Sequence, residues 1–235
     1  MKRILASTIM MMIVVFAGTA LAATYDYSDA TGYGLASHTN PSWQRLGTSW
    51  TTENQPTGVW EDGSDDGVFW SINGGAFGHD EMTVGDEVTF KFVMYKQKWG
   101  IHSYDTLKVW IDWGNNANFS DNGDLFLTEM WYFRNDYPNA YNDDSLSGTT
   151  AGVSKEFTKT ILLTVDPGEY WLRARVVCNA DINSNPDSFK PTGNYWQGEV
   201  EDWKFKVNPV PEPMSLILFG LGLLGLAGVR RKFKK

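Results

Sequence analysis

Apolar side chains recur at every second position through much of this chain, and that period decides its fold class. Val88, Phe90, Phe92 and Met94 alternate with Thr89 and Lys91. Leu107, Val109, Ile111 and Trp113 alternate with Lys108, Trp110 and Asp112. Phe157, Ile161, Leu163 and Val165 form a third set, interrupted by Lys159, and Trp203, Phe205 and Val207 oppose Lys204 and Lys206. Successive side chains of a strand point to opposite faces, so each set marks one apolar face of a strand. Helical stripes are few. Such strands with polar breaks between them predict an all-β fold, a single antiparallel β-sandwich of jelly-roll-like form. Turn chemistry agrees. Asp166-Pro167-Gly168 pairs a fixed proline φ with a glycine free to take a positive one, and Asn73-Gly74-Gly75 and Asn122-Gly123 are similar breakers. The stretch from Asn135 to Gly152 is rich in Asn, Asp, Ser, Thr and Gly and reads as a long surface loop.

Both ends of the chain depart from this pattern. Lys2 and Arg3 precede an apolar run from Ile9 to Phe16, and Ala20-Leu21-Ala22 follows as a small-x-small cleavage site. That order defines a signal peptide over residues 1–22, read by the Sec export machinery and removed by signal peptidase. At the other end Pro211-Glu212-Pro213 precedes an apolar helix over residues 214–229 and a basic end over residues 230–235 that begins Arg230-Arg231. A helix of that length rises roughly 24 Å, short of the ~30 Å hydrocarbon core. The basic end would hold it on the cytoplasmic side, so the segment reads as a short transmembrane sorting helix that anchors the chain transiently in the inner membrane. Gly220-Leu221-Gly222-Leu223-Leu224-Gly225 satisfies G-x-G-x-x-G, but the chain ends within a few residues and no acidic residue follows, so no organic cofactor is expected.

Removing both ends sharpens the charge. The chain has 20 basic and 28 acidic residues; the leader holds two of the basic ones, and the tail holds five together with Glu212. Residues 23–209 therefore keep 13 basic against 27 acidic, a net charge of −14. Nucleic acid is excluded as a partner, because phosphate contacts depend on Lys and Arg. The single Cys178 cannot form an internal disulfide, and its phase with Tyr170, Leu172, Ala174 and Val176 predicts a buried, inert thiol.

Two resemblances become specific at this point. The Pro-Glu-Pro box, Gly-Leu helix and basic cluster over residues 208–235 resemble the PEP-CTERM sorting signal of Gram-negative bacteria. That resemblance implies cleavage near the box by an exosortase, and an exopolysaccharide or biofilm setting. Within residues 23–207, Gly198-Glu199-Val200-Glu201-Asp202-Trp203 resembles the signature of the GEVED domain. Asp26-Tyr27-Ser28-Asp29-Ala30 with Tyr33, Gly34 and His38, then Asp65-Asp66-Gly67-Val68, then Trp110 to Asp124 match that family's other segments in order. Membership implies an extracellular β-sandwich module without an established activity.

Three groups of residues are candidates for function. Asp112, Asn116, Asn118, Asp121 and Asp124 crowd oxygen ligands into thirteen residues, as calcium requires. Gly114 and Ala117 depart from the family's loop, and Asn116 and Asn118 stand where Asp is usual, so such a site would be weak. The alternative is a polar turn with local Asx hydrogen bonds. Among the motif acids Glu199, Glu201 and Asp202, the two glutamates share one strand face and could pair with Arg173 and Arg175 on a neighbouring strand, or the acids could supply carboxylates for a metal or for catalysis. Trp60, Trp110 and Trp196 fall in loop or outward positions, where an indole could stack on a sugar ring; the alternative is core packing or the covering of a sandwich face. His38, His79 and His102 lack ligand spacing, and neither G-x-S-x-G nor H-E-x-x-H occurs. The expected function is therefore non-catalytic: an exported, exosortase-processed surface or matrix protein that binds exopolysaccharide or other surface proteins. The alternative is a secreted polysaccharide-modifying enzyme of glycosidase type. Mass spectrometry of the surface-extracted protein should show loss of Met1–Ala22 and a cut near Pro211–Pro213. An intact Arg230–Lys235 end on that protein would exclude exosortase processing.

Overall fold

The computed structural model describes residues 25–50, 56, 58, 65–96, 104–136, 152–212 and 221. Eleven strands follow in order: β1 (Asp26–Tyr27), β2 (Ala36–Asn40), β3 (Gln44–Leu46), β4 (Val68–Ile72), β5 (Met82–Thr83), β6 (Glu87–Lys96), β7 (Asp105–Ile111), β8 (Leu125–Trp131), β9 (Val153–Leu162), β10 (Gly168–Cys178) and β11 (Gly193–Asn208). One helical turn, α1 (Phe133–Asp136), follows β8 and takes in Asn135, the first residue of the expected loop; residues 137–151 lie outside the described residues. The leader, Trp60, Pro213 and the basic end with Arg230 and Arg231 also lie outside them. Among the described residues no helix is long and apolar enough to cross a membrane.

Two sheets form. The larger runs β1-β2-β11-β10-β7-β8, with β5 also on β11. In the smaller, β9 pairs with β6 from Glu87 to Lys96, while β3 and β4 pair with successive parts of that same stretch. A strand has two edges, so β3 and β4 lie end to end along the one that β9 leaves open. All ladders are antiparallel except those of β11 with β2 and with β5, which are parallel. The Asp166-Pro167-Gly168 turn carries the chain from one sheet to the other, and Gly168 does not adopt the positive φ its turn predicted.

The apolar phases of the sequence meet between the sheets. Phe90 and Phe92 of β6, Leu107 and Val109 of β7, Leu172 and Ala174 of β10, and Trp203 and Phe205 of β11 share one buried cluster. Lys159, which interrupts the phase of β9, still points inward: it lies 4.4 Å from the Phe126 ring and donates to the Phe126 carbonyl. Its stem is covered while its ammonium finds an oxygen, as long cationic side chains at a core margin do.

The opposite face of the larger sheet is also buried. Every residue of β7 is buried, on both faces. Ala30 and Tyr33 from the amino-terminal segment and Phe119 from the β7–β8 loop cover Trp110. Ile182 and Phe189 from the β10–β11 connection cover Val177. A roof of irregular segments thus forms a third layer over the outward positions of these strands.

One buried ion pair inside the sandwich follows from the same phases. Lys96 continues the Val88–Met94 series and Asp105 precedes the Leu107–Ile111 series, so both face inward. Their side chains are fully buried and meet at 2.6 Å, with the Lys96 ammonium 4.4 Å from the Phe133 ring. Removing one partner of such a pair strands the other charge in the core. Asp105→Asn should therefore cost about 3–5 kcal/mol in urea denaturation, and Asp105→Leu combined with Lys96→Met should recover most of it. Equal losses in the single and double variants would show that packing, and not the stranded charge, sets the cost.

Candidate functional site

The acidic segment of β11 has an unusual surrounding. Gly198 opens it with φ +129°, and a Cβ there would stand 1.9 Å from the Val176 carbonyl oxygen and 2.7 Å from His38 Nδ1. Only glycine lets β11 approach β10 and β2 this closely. Beyond it Glu199 and Glu201 share the phase of Trp203 and point between the two sheets, where both are buried. Glu199 Oε2 accepts from the Leu46 amide at 2.6 Å. Glu201 accepts from the Gly67 amide at 2.9 Å and from Trp203 Nε1 at 3.2 Å. Gly67 is itself obligatory, since a Cβ would lie 2.5 Å from the Gly47 nitrogen. These carboxyl groups clasp the end of β3 and the start of β4 to the larger sheet.

Asp202 has the opposite phase and stands directly across the ladder from Arg173. Arg173 Nε donates to its Oδ1 at 2.7 Å and Nη2 to its Oδ2 at 2.9 Å, a bidentate pair with both side chains fully buried. Asp202 Oδ2 also accepts from the Ala30 amide at 2.8 Å. Arg173 Nη1 donates to the carbonyls of Gly34 and Pro191, at 3.1 and 3.0 Å. Arg175, two residues on, donates to the carbonyls of Ser37, Lys190 and Gly193, and to His38 Nε2 at 3.0 Å. The expected pairing of Glu199 and Glu201 with the two arginines is thus not the one formed. Strand phase forbids it, because the glutamates and the arginines lie on opposite faces of one sheet.

Two family matches cover this strand and the tail that follows it. The GEVED domain matches residues 106–206, and the PEP-CTERM protein-sorting motif matches residues 209–232. This is a GEVED-domain protein with a PEP-CTERM sorting motif. The motif marks the chain as an exported protein that exosortase processes, its carboxy-terminal tail anchored in the membrane beforehand. No curated protein matches the sequence. Among solved structures, the crystal structure of the C-terminal domain of wzt is similar over 75% of this chain and 85% of that one, at 9% identity and a TM-score of 0.33. Too little geometry is shared at that score for one chain to inform the other.

The electrostatics of the GEVED strand follow from burial. Desolvation, with Asp26 and the other glutamate nearby, holds the Glu199 carboxyl well above the usual carboxylate range. Burial pushes Glu201 up to about 8 against the pull of its Trp203 and Gly67 hydrogen bonds. His38 is pushed well down by burial and by the Arg175 guanidinium, so its neutral ring can accept from that arginine. Burial and neighbouring Arg173 lower Arg175 to about 9.

The Asp112–Asp124 loop is closed on itself. Asp112 is buried, and its Oδ2 accepts from the amides of Asn116 and Ala117 at 3.0 and 2.9 Å. Asp121 takes the side-chain amides of Asn116 and Asn118, and Asp124 takes the Asp121 amide at 2.9 Å. Burial, with Asp112 and Asp121 nearby, raises the Asp124 carboxyl. Among the described residues no three His, Cys, Asp or Glu side chains are placed to hold a metal.

Among the aromatics, Trp110 is buried and stacks edge-on against Phe189 at 5.8 Å, which removes it from any sugar site. Its outward phase meant the roof, not solvent. Trp196 is 61% exposed. Asp66 caps the loop that follows β3, accepting from the Thr48 amide and hydroxyl, both at 2.8 Å. Cys178 is buried, and desolvation raises its thiol to about 11, as its phase foretold. Strand phase could also have shown that Lys96 and Asp105 face inward; the role of His38 had no such signal.

The raised glutamates set a pH dependence of stability. Folded Glu199 and Glu201 hold protons that an unfolded chain releases above about 4.5, so their contribution is complete below that pH and is lost as pH rises through their raised folded-state values, about 8 for Glu201. His38 acts oppositely, its contribution being lost as pH falls below about 6.5, where the unfolded ring binds a proton. Glu199→Gln keeps an acceptor for the Leu46 amide but cannot ionise. It should melt above the wild type at pH 8–9, by ~2–4 °C for each kcal/mol gained, with the gap closing toward pH 5. A gap independent of pH would show that Glu199 is not protonated in the fold.

Proposed function

We propose that the processed protein is a non-catalytic adhesion module of the cell surface or extracellular matrix, which binds glycan or protein in an exopolysaccharide or biofilm setting. The observation that carries this reading is where the domain directs its chemistry. Glu199, Glu201 and Asp202 are buried and bound to backbone amides or to Arg173, while Trp196 stands open to solvent. Carboxylates engaged this way hold sheets together and have no free approach to a glycosidic bond. A flat, exposed indole offers the apolar area and N–H donor that carbohydrate stacking uses. Calcium is an addition to this reading and not a requirement of it, since the Asp112–Asp124 loop is held by its own hydrogen bonds.

The sorting tail supports an extracellular setting. A domain released outside the inner membrane with a net charge of −14 over residues 23–209 meets neutral polymers without electrostatic repulsion. Incubation of the processed protein with the producing cell's exopolysaccharide should give co-sedimentation with no new reducing ends. Release of reducing ends that a carboxylate substitution abolishes would establish the polysaccharide-modifying enzyme instead.

A further inference from the structure

The register of three strands assembles an aromatic and hydroxyl-bearing surface that no single strand shows. Tyr27 of β1 pairs with Ser37 of β2, and Ser37 pairs with Asn194 of β11. Continuing each ladder two residues along β2 sets Tyr25, Thr39 and Trp196 in a second row. Side chains alternate across a sheet, so both rows share one face, while the row between them (Asp26, His38 and Tyr195) turns to the other. Contacts agree with this division. Tyr25 and Tyr27 stack with centroids 5.6 Å apart and planes at 27°, and Thr39 Oγ1 reaches Asn194 Oδ1 at 3.3 Å across the β2–β11 ladder. On the reverse face His38 packs toward Tyr195 at 5.9 Å and binds Arg175.

We propose that Tyr25, Tyr27, Thr39, Asn194 and Trp196 form a platform on the β1–β2–β11 wing for a neutral glycan chain. This rests on the glycan-binding reading above and gives it a place. Tyr25 and Trp196 are separated by two interstrand spacings, roughly 10 Å, so two rings flank a polar strip and can stack on separate sugar units. The side chains between them carry hydroxyl and amide groups, which exchange hydrogen bonds with sugar hydroxyls. None of the platform residues is charged. An acidic polysaccharide would find no cation here and would meet a domain of net charge −14, so the fitting occupant is neutral.

The test uses the processed protein and the producing cell's exopolysaccharide, separated into neutral and acidic pools. Tryptophan fluorescence and co-sedimentation should report binding to the neutral pool. Trp196→Ala and Tyr25→Ala should each weaken that binding about tenfold or more. Leu162→Ala, an exposed change on the smaller sheet, should leave it intact. Unchanged thermal melting of each variant ties the loss to the surface. Full binding by both platform variants would overturn the platform and leave glycan binding standing elsewhere on the domain. Preference for the acidic pool would overturn the neutral occupant. A change of oligomeric state in Trp196→Ala without loss of glycan binding would make this face a contact between copies. Wild-type protein that binds neither pool would overturn the glycan reading itself, and the platform with it.

Discussion

Arg173 and Asp202 face each other across the β10–β11 ladder, wholly buried, with two hydrogen bonds of 2.7 and 2.9 Å. Removing two charges from water costs several kcal/mol for each ion, so this pair persists only because every arm of it is engaged. The remaining arms reach the covering layer. Asp202 holds the Ala30 amide, and Arg173 holds the carbonyls of Gly34 and Pro191. The amino-terminal segment and the β10–β11 connection, far apart in sequence, are thus tied to one point on the sheet. The Arg173 guanidinium also lies 4.9 Å from the Phe119 ring, which brings in the β7–β8 loop. Without the ion pair the roof would lose its anchor, and Trp110 beneath it would lose its cover.

The same strand serves the other face with the other half of its acids. Glu199 and Glu201 turn toward the smaller sheet and bind the amides of Leu46 and Gly67. Alternation explains how neighbouring residues divide the work: even positions hold the roof and odd positions hold the second sheet. It also explains their different partners. Asp202 has a guanidinium and stays in the ionic network. The glutamates face an apolar core with Asp26 beside them, and burial favours their protonated forms. A run of acids that looks like one electrostatic feature in the sequence is two devices with opposite chemistry.

This division marks what the sequence made legible. Strand phase located the core correctly, since Phe90, Phe92, Leu107, Val109, Trp203 and Phe205 all meet between the sheets. The fold class followed from that period, because it depends on local alternation alone. What the outer face meets is a property of distant segments. Trp110 looked outward in phase and is outward, yet Phe119, Ala30 and Tyr33 close over it. Nothing in the strand itself encodes that cover. The partner of an arginine was hidden for a related reason: pairing depends on register, and a shift of one residue exchanges Asp202 for Glu201 across from Arg173. The platform of Tyr25, Thr39 and Trp196 is the extreme case, since it exists only in the alignment of strands from opposite ends of the domain.

These polar links also answer a constraint set by the protein's destination. Exported domains are often cross-linked by disulfides, but this one has a single cysteine, buried in the sandwich with its thiol raised to about 11. Its long-range ties must therefore be non-covalent. Ala30 to Asp202, Leu46 to Glu199, Gly67 to Glu201 and Ser37 to Arg175 each join segments more than a hundred residues apart. A hydrogen bond to a charged or buried group loses much of its strength if water enters, so the ties and the roof that excludes water support one another. That mutual dependence places the chemical asymmetry of the domain. The acids of the GEVED strand, with Arg173 and Arg175, are drawn inward to hold it together, and the wing on β1, β2 and β11 presents uncharged rings and hydroxyls to the outside.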